Sequence, residues 1–218
     1  MQTLDPDQYG LALHTTSSQL GIAMSNFAGD SRCQSWDLGR DLSTYLHQYL
    51  AEFLKPQTWK DLGFIAVAKG PGSFTSTRIG VVTARTIAQQ LNIPLFAIST
   101  LATVAWSERE KYALTMPIAV QMEARRGQLF VAIYEVSAGG FGLKENLPDA
   151  AIAPEAWQQT LDNLERTYKL IDTPVNLGST ATSLLELAYL DWQQGKRPHW
   201  SEALPFYGQH PVKSLCSN

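Results

Sequence analysis

The clearest periodic pattern in the chain lies between Asp41 and Leu54. Apolar side chains recur there at helical spacing: Leu42, Tyr45, Leu46, Tyr49, Leu50, Phe53 and Leu54. This spacing puts them on one face and predicts an amphipathic helix that ends before Pro56. The face is wide and carries two tyrosines, so two interpretations stay open: a helix that faces the core, or one that also offers a surface to a partner.

A buried strand, a sharp turn and a second helix follow. The apolar run from Phe64 to Ala68 predicts the strand, and Gly70-Pro71-Gly72 ends it. Ser73 and Thr75 are both candidate N-caps of the helix. We therefore expect Gly70, Pro71, Gly72 and Ser73 to form a structural turn at the start of this helix.

Gly80 interrupts the second predicted helix. A glycine in a helix interior costs roughly 1 kcal/mol relative to alanine. The position is either a tolerated weak point or one whose missing side chain lets another helix or backbone come close. Arg78, one turn into the same helix, either ties loops together or contacts a partner.

The order of the predicted elements indicates the fold class. Two strands joined by a hydroxyl-rich turn open the chain, and residues 31–37 predict a third strand before the first helix. Three strands, a helix, a strand, a helix, a strand and a helix make up a ribonuclease-H-like half. A weaker round of similar order begins at Pro117. The prediction is an α/β protein of two ribonuclease-H-like halves, with mixed sheets flanked by helices.

This order also predicts how the chain is divided. We expect a first domain over residues 9–112 and a second, smaller domain over residues 113–178. Residues 179–200 predict a C-terminal helix that packs back on the first domain. Residues 1–8 are expected to be a disordered leader.

Composition excludes several classes of protein. The 218 residues carry 17 basic and 20 acidic side chains, a net charge of −3 that does not favour direct binding of nucleic acid. Cys33 and Cys216 have no CxxC spacing, which suits a reducing compartment and neither a metal site nor a disulfide framework. No apolar run approaches the roughly 20 residues of a membrane helix. We therefore expect a cytoplasmic protein without membrane contact.

The sequence offers no catalytic constellation. None of the four histidines pairs with another at metal-ligand spacing, so we predict no metal site. The glycine turn lacks the lysine of a Walker loop, and Ser73 does not lie in a G-x-S-x-G elbow. We predict no catalytic residue and no cofactor. His14 is interpreted as a hydrogen-bonded structural histidine, with ligand binding as the alternative.

Several segments resemble one protein family. The stretch Gly70-Pro71-Gly72-Ser73-Phe74-Thr75-Ser76-Thr77-Arg78-Ile79-Gly80 resembles the GPGSFTGxRxG signature of the bacterial TsaB (YeaZ) proteins. Residues 99–101 match the STL that follows in the family, residues 11–16 resemble its opening LAIDTAT, and residues 123–130 resemble its DARxGEVY segment. Together these segments cover residues 9 to about 135.

The resemblance implies a fold of the actin-like ATPase superfamily and a role in making threonylcarbamoyladenosine in tRNA. It implies a non-catalytic scaffold or activator that dimerises with the TsaD transferase, in a complex completed by the ATPase TsaE. ATP then belongs to the complex, tRNA is met only through the complex, and the chain alone forms a homodimer. The alternative is a stand-alone nucleotide-binding enzyme of the actin-like fold, or a peptidase.

The resemblance also assigns residues to surfaces. In the family, the helix after the glycine turn and the amphipathic helix before it form the dimer surface, which corresponds here to Tyr45, Tyr49, Phe74, Arg78 and Gly80. Candidate residues of the cleft between the halves, where a nucleotide would bind, are Thr15, Thr16, Glu123 and Arg125. By local reasoning alone, Glu123 and Arg125 either pair across their turn or line that cleft.

Some positions depart from the family pattern. His14 replaces an aspartate, and an imidazole cannot serve as the hard oxygen ligand that hydrated Mg²⁺ prefers, which argues against independent ATP hydrolysis. Ser76 replaces a glycine and Leu42 a histidine. Near the C-terminus the arginine of the family's PxYLR ending is absent, which puts any contact made by that arginine in doubt.

Overall fold

The computed structural model describes residues 1–112 and 116–208. It contains two mixed sheets flanked by helices. The first sheet contains β1 (Tyr9–His14), β2 (Gln19–Ser25), β3 (Ser31–Asp37), β4 (Leu62–Ala68) and β5 (Leu95–Ile98). The second contains β6 (Ile118–Glu123), β7 (Leu129–Val136), β8 (Leu143–Ile152) and β9 (Lys169–Asp172). The helices are α1 (Leu42–Leu54), α2 (Phe74–Leu91), α3 (Thr100–Glu108), α4 (Pro154–Asp162) and α5 (Ala181–Gln193).

The two sheets share one topology. The first has the strand order β3-β2-β1-β4-β5 and the second β8-β7-β6-β9. In each, three antiparallel strands come first in the chain, and the next strand joins the first of them in parallel. This confirms the predicted α/β fold of two ribonuclease-H-like halves, the second of which has one strand fewer.

The first sheet is covered on both faces. Leu11 and Leu13 of β1 belong to the core cluster shared with α1 and α2, whereas Ala12 lies in the cluster shared with α5. This alternation follows from the two-residue period of a strand. Helix α5 thus packs on the first sheet, although it follows the second one in the chain. The division into two domains at residue 112 remains a prediction.

The structure corrects the prediction of a disordered leader for residues 1–8. Leu4 is buried in the cluster under α5, and Gln2 N donates to Gln193 O over 3.1 Å. A Cβ on Gly63 would meet the Leu4 side chain at 2.7 Å, so the leader lies directly against β4. Leu4 is the apolar residue that anchors it.

Gly70 and Gly80 are glycines because other parts of the same chain approach them closely. Gly70 has φ +104, and a Cβ there would lie 2.6 Å from Phe206 O. Gly80 is buried, and a Cβ on it would collide with the Thr15 side chain. The close approach predicted at Gly80 is therefore real, but its partner is the turn after β1, which corrects the assignment of Gly80 to a contact between subunits.

Candidate functional site

A cleft of about 950 Å³ lies between the two halves. One wall comes from the turn after β1 and the start of α2, and the other from the β6–β7 turn and the loop after β9. The first wall is rich in hydroxyl groups, which belong to Thr16, Ser17, Ser18, Ser73, Thr75 and Thr77. Such a wall can donate and accept hydrogen bonds without carrying charge.

Backbone contacts hold the first wall together. Ser73 N donates to Thr16 O over 2.7 Å, which joins the glycine turn to the turn after β1. The Thr100 hydroxyl, at the start of α3, donates to the Thr16 hydroxyl over 3.1 Å. Ser73 occupies the predicted N-cap position of α2, but its hydroxyl lies 3.0 Å from the Ser76 hydroxyl and makes no cap hydrogen bond. The turn is therefore fixed mainly by its backbone.

Thr15 does not line the cleft, which corrects its assignment there. It is buried, its hydroxyl donates to Ser76 O over 2.9 Å, and it packs against Gly80. The side chain thus joins the end of β1 to α2. Thr16, the next residue, lies on the cleft as predicted.

The second wall carries the charged groups of the cleft. Glu123 and Arg125 both line it, and Arg126 lies beside them with φ +62. Asp172, at the end of β9, also faces the cleft and was not predicted. With two carboxylates and two guanidinium groups, the formal charges of this wall balance.

The loop after β9 contributes Thr173, Pro174 and Val175 to the cleft. Sequence reasoning missed this loop, although an apolar pair followed by Asp-Thr-Pro is a signal for a strand end and turn. In a ribonuclease-H-like half this strand end lies beside the first strand of the same sheet, here β6. Its position next to the cleft therefore follows from the topology.

His14 is buried at the end of β1. Burial lowers the pKa of its imidazole to about 3, because the charged form loses its hydration. Within the described part of the chain neither ring nitrogen has a hydrogen-bond partner. The interpretation as a structural histidine agrees with its burial, but the hydrogen bonds expected for it are not found there. His14 does not line the cleft.

The exposed face of α1 and α2 forms a second candidate site. Tyr45 is 43% exposed on α1 and Val82 is 60% exposed on α2. Arg78 and Phe74 lie about one and two turns before Val82 on the same stripe, and the guanidinium of Arg78 lies 5.5 Å from the Phe74 ring centroid. We call Tyr45, Phe74, Arg78 and Val82 the helix face.

Tyr49 lies at the border of the helix face. Its ring is 4.8 Å from that of Trp36 and 6.3 Å from that of Tyr45, measured between centroids. It is half-buried against β3, so most of its contacts are internal. The leucines of α1 face the core, as the first interpretation predicts, and Tyr45 remains exposed, so the partner surface stays a prediction.

A half-buried carboxylate, Asp149, joins the halves on the side of α3. Asp149 accepts hydrogen bonds from the Ser99 hydroxyl over 2.8 Å and from the Tyr134 hydroxyl over 2.9 Å. The pairing of β7 with β8 is irregular near this point, and such bulges re-aim side chains. Burial raises the pKa of Asp149, because the ionised form is desolvated.

Asp149→Asn is expected to raise the stability of the protein, relative to the wild type, more at pH 7 than at pH 4. A raised carboxyl pKa in the folded state gives a stabilisation that is present below the ordinary pKa and is lost as the pH rises through the raised value. Asparagine keeps an acceptor oxygen and carries no charge. Thermal melts of both proteins at the two pH values measure the effect, and an equal shift in melting temperature at both would contradict it. Glu155→Gln, an exposed change on α4, is the control.

Two other kinds of site are absent from the described residues. Within residues 1–112 and 116–208 no group of three or more His, Cys, Asp or Glu side chains lies close enough to hold a metal ion. Over the same ranges no helix is long and apolar enough to cross a membrane. His210 and Cys216 lie outside the described residues.

Comparison with known proteins gives one family match and several relatives. The model of the family described as "TsaD: tRNA N6-adenosine threonylcarbamoyltransferase" matches residues 40–178. The tRNA threonylcarbamoyladenosine biosynthesis protein TsaB of Bacillus subtilis (strain 168) is 40% identical over 107 residues, which are 49% of this chain and 44% of that protein. The chain matches its curated relatives over about half of their length.

Solved structures resemble the chain over nearly its whole length. YeaZ from Pseudomonas aeruginosa has a TM-score of 0.75 at 22% identity, covering 92% of this chain and 99% of that one. A second structure, described as an uncharacterized protein with similarity to peptidase YEAZ from Pseudomonas aeruginosa, has a TM-score of 0.77 at 22% identity, covering 93% and 100%. At this identity the likeness shows a common fold.

Proposed function

We propose that the chain, which belongs to the threonylcarbamoyltransferase family and within it to the TsaB (YeaZ) proteins, is a non-catalytic subunit in tRNA threonylcarbamoyladenosine biosynthesis. Its role is to scaffold or activate a TsaD-like transferase by forming a dimer with it. A TsaE-like ATPase completes the complex, and tRNA is met only there. The complex works in the cytoplasm.

The helix face is the observation that supports this proposal most. Tyr45 on α1 and Val82 on α2 are large side chains on two adjacent helices, and 43% and 60% of their respective surfaces are exposed to solvent. Interfaces are enriched in aromatic residues and arginine and depleted in lysine and acidic residues at their centre. The helix face has the enriched types and none of the depleted ones. A helix pair with such a face is suited to packing against another helix pair.

The same face serves two partners in turn. Alone, the chain pairs with a second copy through it, and with the transferase present the heterodimer replaces the homodimer. Gly80 takes no part, because it is buried against Thr15 of its own chain. Tyr49 contributes only its exposed edge. Tyr45, Phe74, Arg78 and Val82 carry the contact.

Val82→Glu is expected to weaken binding of the transferase at least about 10-fold, because a buried, unpaired carboxylate costs more than 1.4 kcal/mol in an interface. The fold tolerates it, since Val82 is 60% exposed in the free chain. Isothermal titration calorimetry measures the affinity and light scattering the mass of the free chain. Phe141→Glu, at a 43% exposed phenylalanine that lies on neither the helix face nor the cleft, is the control and keeps wild-type binding. If Val82→Glu bound the transferase with wild-type affinity, the helix face would not be the binding surface.

A second candidate function is nucleotide binding in the cleft. The cleft volume of about 950 Å³, its hydroxyl-rich wall and the N-terminus of α2 favour it. His14 argues against independent hydrolysis, as it supplies no carboxylate for Mg²⁺. Thermal melts with and without ATP and Mg²⁺ distinguish the two. A large rise in melting temperature together with turnover by this chain alone would favour the enzyme over the scaffold.

A further inference from the structure

We propose that residues 203–208 form a clasp that holds the two halves together across the cleft and links the cleft to the helix face. The part of this proposal that concerns a bound partner rests on the proposed function, whereas the part that concerns the free chain does not. The clasp bridges the first half and the second by non-covalent contacts.

The first half holds the start of the clasp. Ala203 is buried in the core cluster of α1 and α2. Phe206 N donates to Lys69 O over 2.7 Å, directly after β4 ends. The Phe206 carbonyl lies against Gly70, where any side chain would collide with it. The first glycine of the turn is therefore required by the clasp.

The second half holds the end of the clasp. The Phe206 ring lies 6.5 Å from the Phe130 ring, centroid to centroid, and joins the core cluster of the second sheet. A Cβ on Gly208 would lie 2.7 Å from the Phe130 ring, so the backbone passes close over it. Phe130 is the first buried residue of β7, and it lines the cleft. Opening the cleft would separate Phe206 either from Phe130 or from Lys69.

Tyr207 connects the clasp to the helix face. Its ring lies 4.7 Å from the Phe74 ring, and Phe74 in turn carries the Arg78 guanidinium. Both Tyr207 and Phe74 also line the cleft. A partner that covers Phe74 and Arg78 therefore restrains Tyr207 as well. Because coupling between sites is reciprocal, a ligand that closes the cleft would in return favour partner binding.

The clasp is tested in the free chain by the distance between the halves. Spin labels at Lys60 and Gln159, both exposed, report this distance by pulsed electron resonance in a background with Cys33→Ser and Cys216→Ser. Phe206→Ala is expected to broaden the distance distribution, and Phe206→Leu, which keeps an apolar side chain, covers the case that the alanine variant does not fold. Leu204→Ala, at a 62% exposed position of the same segment, is the control with an unchanged distribution. An unchanged distribution in both Phe206 variants would overturn the clasp.

The link to the helix face is tested by adding the TsaD-like transferase. It should narrow the distribution of the wild type and of Leu204→Ala. In Tyr207→Ala the transferase should still bind, because Phe74 and Arg78 remain, but the narrowing should be lost. Narrowing in Tyr207→Ala equal to the wild type would overturn the link. Absence of transferase binding in the wild type would count against the proposed function and the link together, while the free-chain result would still decide on the clasp.

Discussion

Gly80→Leu is expected to abolish the folded subunit, not merely its dimer. Even a Cβ at this position collides with the Thr15 side chain, and Thr15 is itself buried and bonded to Ser76 O. Overpacking a core by single groups costs about 1–3 kcal/mol, and a leucine here adds three further carbons in the same direction. Because whole domains are stable by only about 5–15 kcal/mol, we expect most of that stability to be lost. Urea denaturation followed by circular dichroism measures it.

A double-mutant cycle identifies Thr15 as the cause. Gly80→Ala alone should destabilise the protein, although alanine is the better helix former by about 1 kcal/mol. In a Thr15→Ala background the colliding hydroxyl and methyl are gone, and Gly80→Ala should become neutral or stabilising. Thr86→Ala, an exposed position on α2, is the control. A folded Gly80→Leu monomer of wild-type stability would contradict the intramolecular account and restore Gly80 to the partner surface.

His14→Leu is expected to reduce the loss of stability between pH 7 and pH 5 by about 2 kcal/mol. The pKa of His14 is about 3 in the folded protein against 6.5 for an unperturbed histidine. For a base with a lowered pKa, the stabilisation is full above the unfolded pKa and is lost as the pH falls, since the unfolded chain takes up the proton first. Each pH unit below 6.5 costs about 1.4 kcal/mol until the folded pKa is reached.

The leucine variant should also be more stable than the wild type at pH 7. It removes two buried ring nitrogens that have no hydrogen-bond partner among the described residues, and each such group costs about 1–3 kcal/mol. Urea titrations of both proteins at pH 5, 6 and 7 give the slopes. His47→Gln removes an exposed histidine from α1 and is the matched control. A pH slope of His14→Leu equal to that of the wild type would show that His14 is protonated or solvated in the folded state.

The strands and helices of the first half could be predicted because their patterns are local. Helix α1 follows from its apolar spacing, and β4 from an apolar run ended by glycine and proline. The helical spacing of α1 reflects burial on one face, and the continuous apolar run of β4 reflects burial on both faces, so each pattern is visible in the sequence itself. The existence of two similar halves followed from element order alone.

The contacts of the glycines could not be predicted, because they depend on parts of the chain distant in sequence. Gly80 indicated a close approach, but a sequence does not say whether Thr15 or another subunit makes it. Gly70 owes its identity to Phe206, more than a hundred residues later. The burial of Asp149 likewise depends on an irregular pairing of β7 with β8 that no local pattern marks. Thr15 was assigned to the cleft and Thr16 beside it lies there, since a strand end turns neighbouring side chains in opposite directions.

The signature from Gly70 to Gly80 thus has two roles on opposite sides of one helix. Its inner positions join the turn after β1, helix α2 and the clasp, which gives the subunit its internal shape. Its outer positions, Phe74 and Arg78, lie on the helix face. The same stretch of sequence can therefore define both the fold and the partner surface.

We propose that the chain activates a TsaD-like transferase through the helix face and does not itself catalyse the reaction. The amount of threonylcarbamoyladenosine formed in tRNA by the TsaD-like transferase and TsaE-like ATPase tests this, with the wild-type chain, with Val82→Glu or with Phe141→Glu. We expect product with the wild type and with Phe141→Glu, a strong reduction with Val82→Glu, and none from the chain alone. Full product with Val82→Glu, or product formed by the chain without the transferase, would contradict it.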